Sequence, residues 1–154
     1  GVIHRDVKPE NILIERGTGR AMVTDFGIAR HTAAVGLTAE GHVVGTAHYM
    51  SPEQARGETV DGRSDLYALG VLGYLLLSGR LPFEGDNGPS VLVAHLTQMA
   101  RPLAAVASDI PAPIAAVIDR CLAKDPAHRF ANGEALADAL QSALVAAEAA
   151  ASPL

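Results

Sequence analysis

The sequence predicts a mainly helical fold, in which a short β-hairpin precedes about five helices set around one buried central helix. Three observations carry this. Ile12-Leu13-Ile14 and Ala21-Met22-Val23-Thr24 are short apolar runs separated by Arg16-Gly17-Thr18-Gly19-Arg20, the pattern of a hairpin with a glycine turn. Leu66, Tyr67, Leu69, Val71, Leu72, Tyr74, Leu75, Leu76 and Leu77 place apolar side chains all round one helix, which suits the centre of a core. Ile114, Val117, Ile118, Cys121 and Leu122 recur at i, i+3, i+4, i+7 and i+8, a one-sided stripe for a helix packed against a neighbour.

Taken in order, residues 1–9 are irregular and dense in charge, and the hairpin follows. From His31 to Val44 there is no periodicity, which predicts a long loop of the functional kind. Pro52 suits the first turn of a short helix that Gly57 ends at Arg56. Ser64 or Asp65 starts the central helix and Gly79 stops it; Gly70 and Gly73 leave room for other backbones to approach. Pro89 opens a further helix that ends before Pro102. Asn132 can cap the last one, whose Leu136, Leu140 and Leu144 repeat at i, i+4 and i+8. After Ala147 the pattern dissolves, so residues 1–147 read as a domain and 148–154 as a tail or the start of a linker.

Composition narrows the function classes. With 154 residues and 49% hydrophobic content, the chain can bury a core and is no disordered tail. A formal charge of −5 offers no basic stripe for nucleic acid. The one cysteine, Cys121, reads as a small core residue in a reduced, cytoplasmic setting. The longest apolar run, Ala68 to Leu77, is about half of what a bilayer requires. His31, His42, His48, His95 and His128 fit no metal-ligand spacing and read as surface or core. The chain begins with Gly1 rather than methionine, which is expected of a piece of something longer.

Three clusters carry chemistry: His4-Arg5-Asp6-Val7-Lys8-Pro9-Glu10-Asn11, Asp25-Phe26-Gly27, and Gly45-Thr46-Ala47-His48-Tyr49-Met50-Ser51-Pro52-Glu53. Singly they read as a solvated charge run, a turn and a loop. In this order they resemble the protein-kinase set of catalytic loop, DFG and APE motifs, with valine for leucine in the first and serine for alanine in the last. Ser-Pro-Glu-Gln-Ala-Arg-Gly is typical wording of bacterial members. The chain is thus similar to a bacterial, eukaryotic-like serine/threonine protein kinase, as a C-terminal-lobe fragment that starts at the catalytic loop. The resemblance runs from Gly1 to Leu144.

The resemblance implies roles. Asp6 orients the hydroxyl nucleophile and takes its proton, and Lys8 sets a cation near the transferring phosphate of ATP. Asn11 and Asp25 are hard oxygen donors for Mg2+ (or Mn2+). Lys8 and Thr46, whose hydroxyl is expected near Asp6, go with serine/threonine specificity. Arg5 marks members whose activation loop docks a phosphate, with Thr38 as the leading acceptor, Thr32 as a second candidate, and Glu40 two residues beyond Thr38. Asp65 is expected to brace the catalytic loop through backbone N–H groups, and Glu53 and Arg129 to form a buried ion pair.

The chain lacks the glycine-rich loop, strand lysine and helix glutamate of the nucleotide-holding lobe. The implied partners are that N-lobe of the same full-length protein and protein substrates bearing Ser or Thr. The implied setting is cytoplasmic, with attachment to the inner membrane open, because members often carry a later transmembrane segment. On this reading the piece alone is inactive. Two alternatives stay open: a non-catalytic docking module and a pseudokinase remnant.

Overall fold

The computed structural model describes residues 2–26 and 42–151. A single 3₁₀ turn at Pro9–Asn11 feeds β1 (Ile12–Ile14), which pairs antiparallel with β2 (Ala21–Val23) in the register Ile12↔Val23. Gly17 and Gly19 take φ of 97° and 70° in the connection, a backbone that disfavours side chains. The hairpin is apolar yet open: Leu13, Ile14 and Val23 are exposed.

Seven α-helices lie among the described residues: α1 (His42–Ala47), α2 (Pro52–Ala55), α3 (Gly62–Ser78), α4 (Gly88–Thr97), α5 (Leu103–Val106), α6 (Ala112–Cys121) and α7 (Gly133–Ala151). Five answer to the predicted helices. The short α1 and α5 are additional, and neither is long enough to show a period. Helix α7 also runs on to Ala151, past the predicted break at Ala147, because its alanine-rich end favours helix. Asn132 does cap it, accepting from the Ala135 N–H at 2.9 Å.

The central helix begins earlier than expected. Asp61 caps it by accepting from the Arg63 N–H at 2.8 Å, so Asp65 stands in the first turn with its carboxylate free for other work. Nor is α3 covered all round, since Leu76 is 74% exposed. Its buried face meets α5, α6 and α7. Tyr67, Val71, Tyr74, Phe83, Leu103, Ile118 and Leu122 form one cluster; Leu66, Val117, Cys121, Phe130 and Leu136 form another. Between them α6 comes very close to α3. A Cβ added at Gly70 would stand 2.5 Å from the Cys121 Cβ, so only glycine permits this spacing.

One ion pair locks α2 to this body. Arg129 Nη1 and Nη2 donate to Glu53 Oε1 and Oε2 at 2.7 and 2.8 Å, and both side chains are buried. Its remaining N–H groups reach the carbonyls of Arg63, Ala123 and Lys124 at 2.9, 2.8 and 3.1 Å, so all five donors of the guanidinium are used. Burial would raise the Glu53 carboxyl, but hydrogen bonds from Arg129 and Ser64 hold it below its usual range. Removing one partner leaves a buried charge alone. Arg129→Met should therefore cost about 3–5 kcal/mol, read as a lowered midpoint in chemical denaturation, with Glu53→Gln milder.

A second buried polar contact lies behind Tyr67. Its hydroxyl bonds to His95 Nδ1 at 2.8 Å, and Lys124 Nζ donates to the His95 carbonyl at 2.6 Å while standing over the Phe83 ring. Burial, and then the Lys124 ammonium, push the His95 imidazole down to about 4. Between pH 6.5 and 4 the unfolded chain therefore takes up a proton that the folded chain refuses. The stability contributed by neutral His95 is complete above pH 6.5 and fades as pH falls to 4, by up to about 3 kcal/mol. Urea titrations at pH 7 and 4.5 should show this loss, and His95→Gln should flatten it.

Candidate functional site

The catalytic-loop residues are positioned by backbone held from several sides. The N–H groups of His4 and Arg5 donate to Asp65 Oδ2 and Oδ1, each at 2.8 Å, so one carboxylate at the start of α3 binds two successive amides. Arg5 has φ of 69°, a left-handed backbone that costs a non-glycine residue about 1–3 kcal/mol and persists only where its surroundings hold it. His4 Nδ1 accepts from the Asp6 N–H at 3.2 Å and its Nε2 donates to the Thr24 carbonyl at 2.8 Å, which sets the ring tautomer. That buried ring also lies 4.8 Å from the Phe26 ring.

Four of the predicted site residues meet. Lys8 Nζ stands 3.0 Å from Asp6 Oδ2 and donates to Thr46 Oγ1 at 3.2 Å. Lys8 joins Thr46 to Asp6, bonded to the hydroxyl of the one and the carboxylate of the other. Asn11 Nδ2 donates to the Asp6 carbonyl and Oδ2 at 2.7 and 3.1 Å. Both amide protons are used there, which leaves Asn11 Oδ1 outside those bonds.

Asp25 reaches the same end of the molecule through the hairpin. Asn11 lies just before β1, and its carbonyl accepts from the Thr24 N–H at 2.8 Å, so the next residue, Asp25, emerges beside the catalytic loop. Asp25 also has a left-handed φ, of 56°. Asp65 sits on the loop as described, and Glu53 and Arg129 pair in the body below it. Thr38, Thr32 and Glu40 lie outside the described residues.

One contact was missed in the sequence. Gln54 Nε2 donates to the Arg5 carbonyl at 3.0 Å, while its Oε1 accepts from the Ser51 N–H at 3.0 Å. The Ser51 hydroxyl accepts in return from the Gln54 N–H, which completes a capping box at the head of α2. The signal was there: Ser51-Pro52-Glu53-Gln54 has the S-x-x-Q form, but its long-range bond to Arg5 has no local signature.

Comparison with known proteins decides the family. Residues 1–142 match the protein kinase domain. The chain belongs to the protein kinase domain family. It is 49% identical over 142 residues to the serine/threonine-protein kinase drp72 of Corynebacterium efficiens, covering 92% of this chain and 26% of that protein. It is 44% identical over 140 residues to PknA of Mycobacterium tuberculosis, covering 91% and 32% respectively. Among solved structures, the kinase domain of Mycobacterium tuberculosis PknI superposes with a TM-score of 0.63 at 29% identity, over 93% of this chain and 46% of that one. The twitchin kinase region of C. elegans gives 0.69 at 28%, over 90% and 24%. The chain thus spans about a quarter to a third of these curated relatives. No helix among the described residues is long and apolar enough to cross a membrane.

The Asp65 clamp is open to a direct check. Asp65→Ala leaves the N–H groups of His4 and Arg5 without their acceptor, at about 1–3 kcal/mol each where water cannot replace it. Hydrogen exchange should accelerate at those two amides and leave α7 unchanged.

Proposed function

We propose that this chain is the phosphoryl-transfer half of a serine/threonine protein kinase, acting with a nucleotide-holding lobe elsewhere in the full-length protein. The observation that carries the reading is the joined cluster of Asp6, Lys8, Asn11 and Thr46, with Asp25 delivered beside it by the hairpin register. The exposed apolar hairpin adds support, because an open strand pair of this kind suits a covering segment.

In this reading a serine or threonine hydroxyl of the substrate lies against Asp6, whose carboxylate orients it and accepts its proton as the new P–O bond forms. Lys8, already 3.0 Å from Asp6, holds positive charge where the transferring phosphoryl gathers negative charge. The donors fit a hard cation: Asn11 Oδ1 and the Asp25 carboxylate are oxygen ligands of the kind magnesium takes, and the use of Asn11 Nδ2 on Asp6 fixes which atom remains. Magnesium bound with ATP would supply charge neutralisation at the phosphates. Arg5 and Thr38 would make the switch, a guanidinium beside the catalytic aspartate receiving a phosphorylated loop. The same reading assigns the chain to the cytoplasm, where ATP and protein substrates are available.

The decisive measurement is transfer of labelled phosphate from ATP to a Ser/Thr peptide by the full-length protein. Asp6→Asn should lower the rate by about 10²–10⁴-fold with an unchanged unfolding midpoint. Equal rates in the variant and the natural protein would refute the assignment of Asp6.

A further inference from the structure

The peptide unit that precedes Asp6 is held at both ends by side chains. Its N–H, on Asp6, donates to His4 Nδ1 at 3.2 Å, and its C=O, on Arg5, accepts from Gln54 Nε2 at 3.0 Å. That unit follows the left-handed Arg5, so its orientation decides where the Asp6 carboxylate points. His4 belongs to the loop itself. Gln54 comes from α2, 49 residues away in the chain.

We infer that Gln54 is a positioning residue, which transmits the placement of the Thr46-to-Gln54 stretch to the catalytic aspartate. Three features of its environment make the link directional and rigid. The Ser51 N–H fixes the amide oxygen at 3.0 Å, so the amide cannot flip without losing both bonds. The Glu53–Arg129 pair anchors the neighbouring residue of α2 in the body of the domain. At the other end of the stretch, Thr46 meets Lys8. The catalytic loop is therefore grasped by this stretch at two points on either side of Asp6, one on Arg5 and one on Lys8. A shift that withdraws the cap of α2 would also release the Arg5 carbonyl and let the peptide unit before Asp6 rotate.

The inference rests on the proposed kinase activity for its kinetic consequence, and its structural half stands apart from it. Gln54→Glu is the informative substitution. A carboxylate can still accept from the Ser51 N–H and keep the helix cap, but it has no N–H for the Arg5 carbonyl and presents an oxygen to it. In the full-length protein, kcat should fall about thirtyfold with KM for ATP and peptide within about twofold, because misplacement of a catalytic group costs rate rather than binding. The unfolding midpoint should stay close to that of the natural protein. Hydrogen exchange at the Asp6 amide should accelerate about tenfold or more. Ser51→Ala separates the two roles: it removes the hydroxyl half of the cap while leaving the Gln54 amide, so it should lower the midpoint without lowering kcat. Gln54→Met, which cannot bond to either partner, serves if the glutamate variant fails to fold and should show the same loss of kcat.

Unchanged kcat in both Gln54 variants, or a loss of kcat in Ser51→Ala as large as theirs, would overturn the inference and leave Gln54 as part of a helix cap. If the natural full-length protein transfers no phosphate, the proposed function fails, and the exchange rate of the Asp6 amide alone decides the role of Gln54. Unaltered exchange in Gln54→Glu then refutes it.

Discussion

The buried pair of Glu53 and Arg129 is the constraint from which the rest of the arrangement follows. A guanidinium with all five donors satisfied can lie in a closed interior only if the groups it binds are themselves fixed. Those groups come from α2, from the first turn of α3 and from the segment after α6. One side chain therefore sets the relative positions of three elements that are remote in sequence. Hydrophobic burial alone is non-directional and would tolerate sliding between them. The fork geometry of the arginine does not.

From that fixed point, order spreads to the catalytic loop by hydrogen bonds that end on backbone. Asp65 extends from α3 to two N–H groups, Gln54 extends from α2 to a carbonyl, and His4 joins the loop to the hairpin through Thr24. The loop has little hydrophobic content of its own and a left-handed residue at Arg5. Its conformation is imposed from outside, which is how a strained segment persists in a fold. The cluster of Asp6, Lys8 and Asn11 is thus a property of the domain rather than of the local peptide.

Much of this was legible from residue types. The glycine turn and flanking apolar runs define the hairpin because two strands this short can pair in few registers. The motif order around Asp6, Asp25 and Glu53 pointed to the candidate site. What escaped notice has physical reasons. Ser64 and Asp65 are both good capping types beside the first apolar residue of α3, so residue type alone does not choose the start, whereas in the fold Asp61 caps the helix and spares Asp65 for the loop. Leu76 looked like core from its type, but its exposure depends on which neighbours occupy that side of α3. The bond from Gln54 to Arg5 joins positions whose separation no periodicity reports. Long-range polar contacts of this kind become visible only when the chain is folded.

The close seating of α6 on α3 has a practical side. Cys121 lies against Gly70, fully enclosed, and burial pushes its thiol up to about 12. It is the single cysteine of the chain and is withheld from electrophiles by both packing and protonation. A cysteine introduced at an exposed position such as Leu76 or Met99 would thus meet no competition from within the fold, so fluorophores or spin labels can be attached one at a time without first deleting the natural thiol.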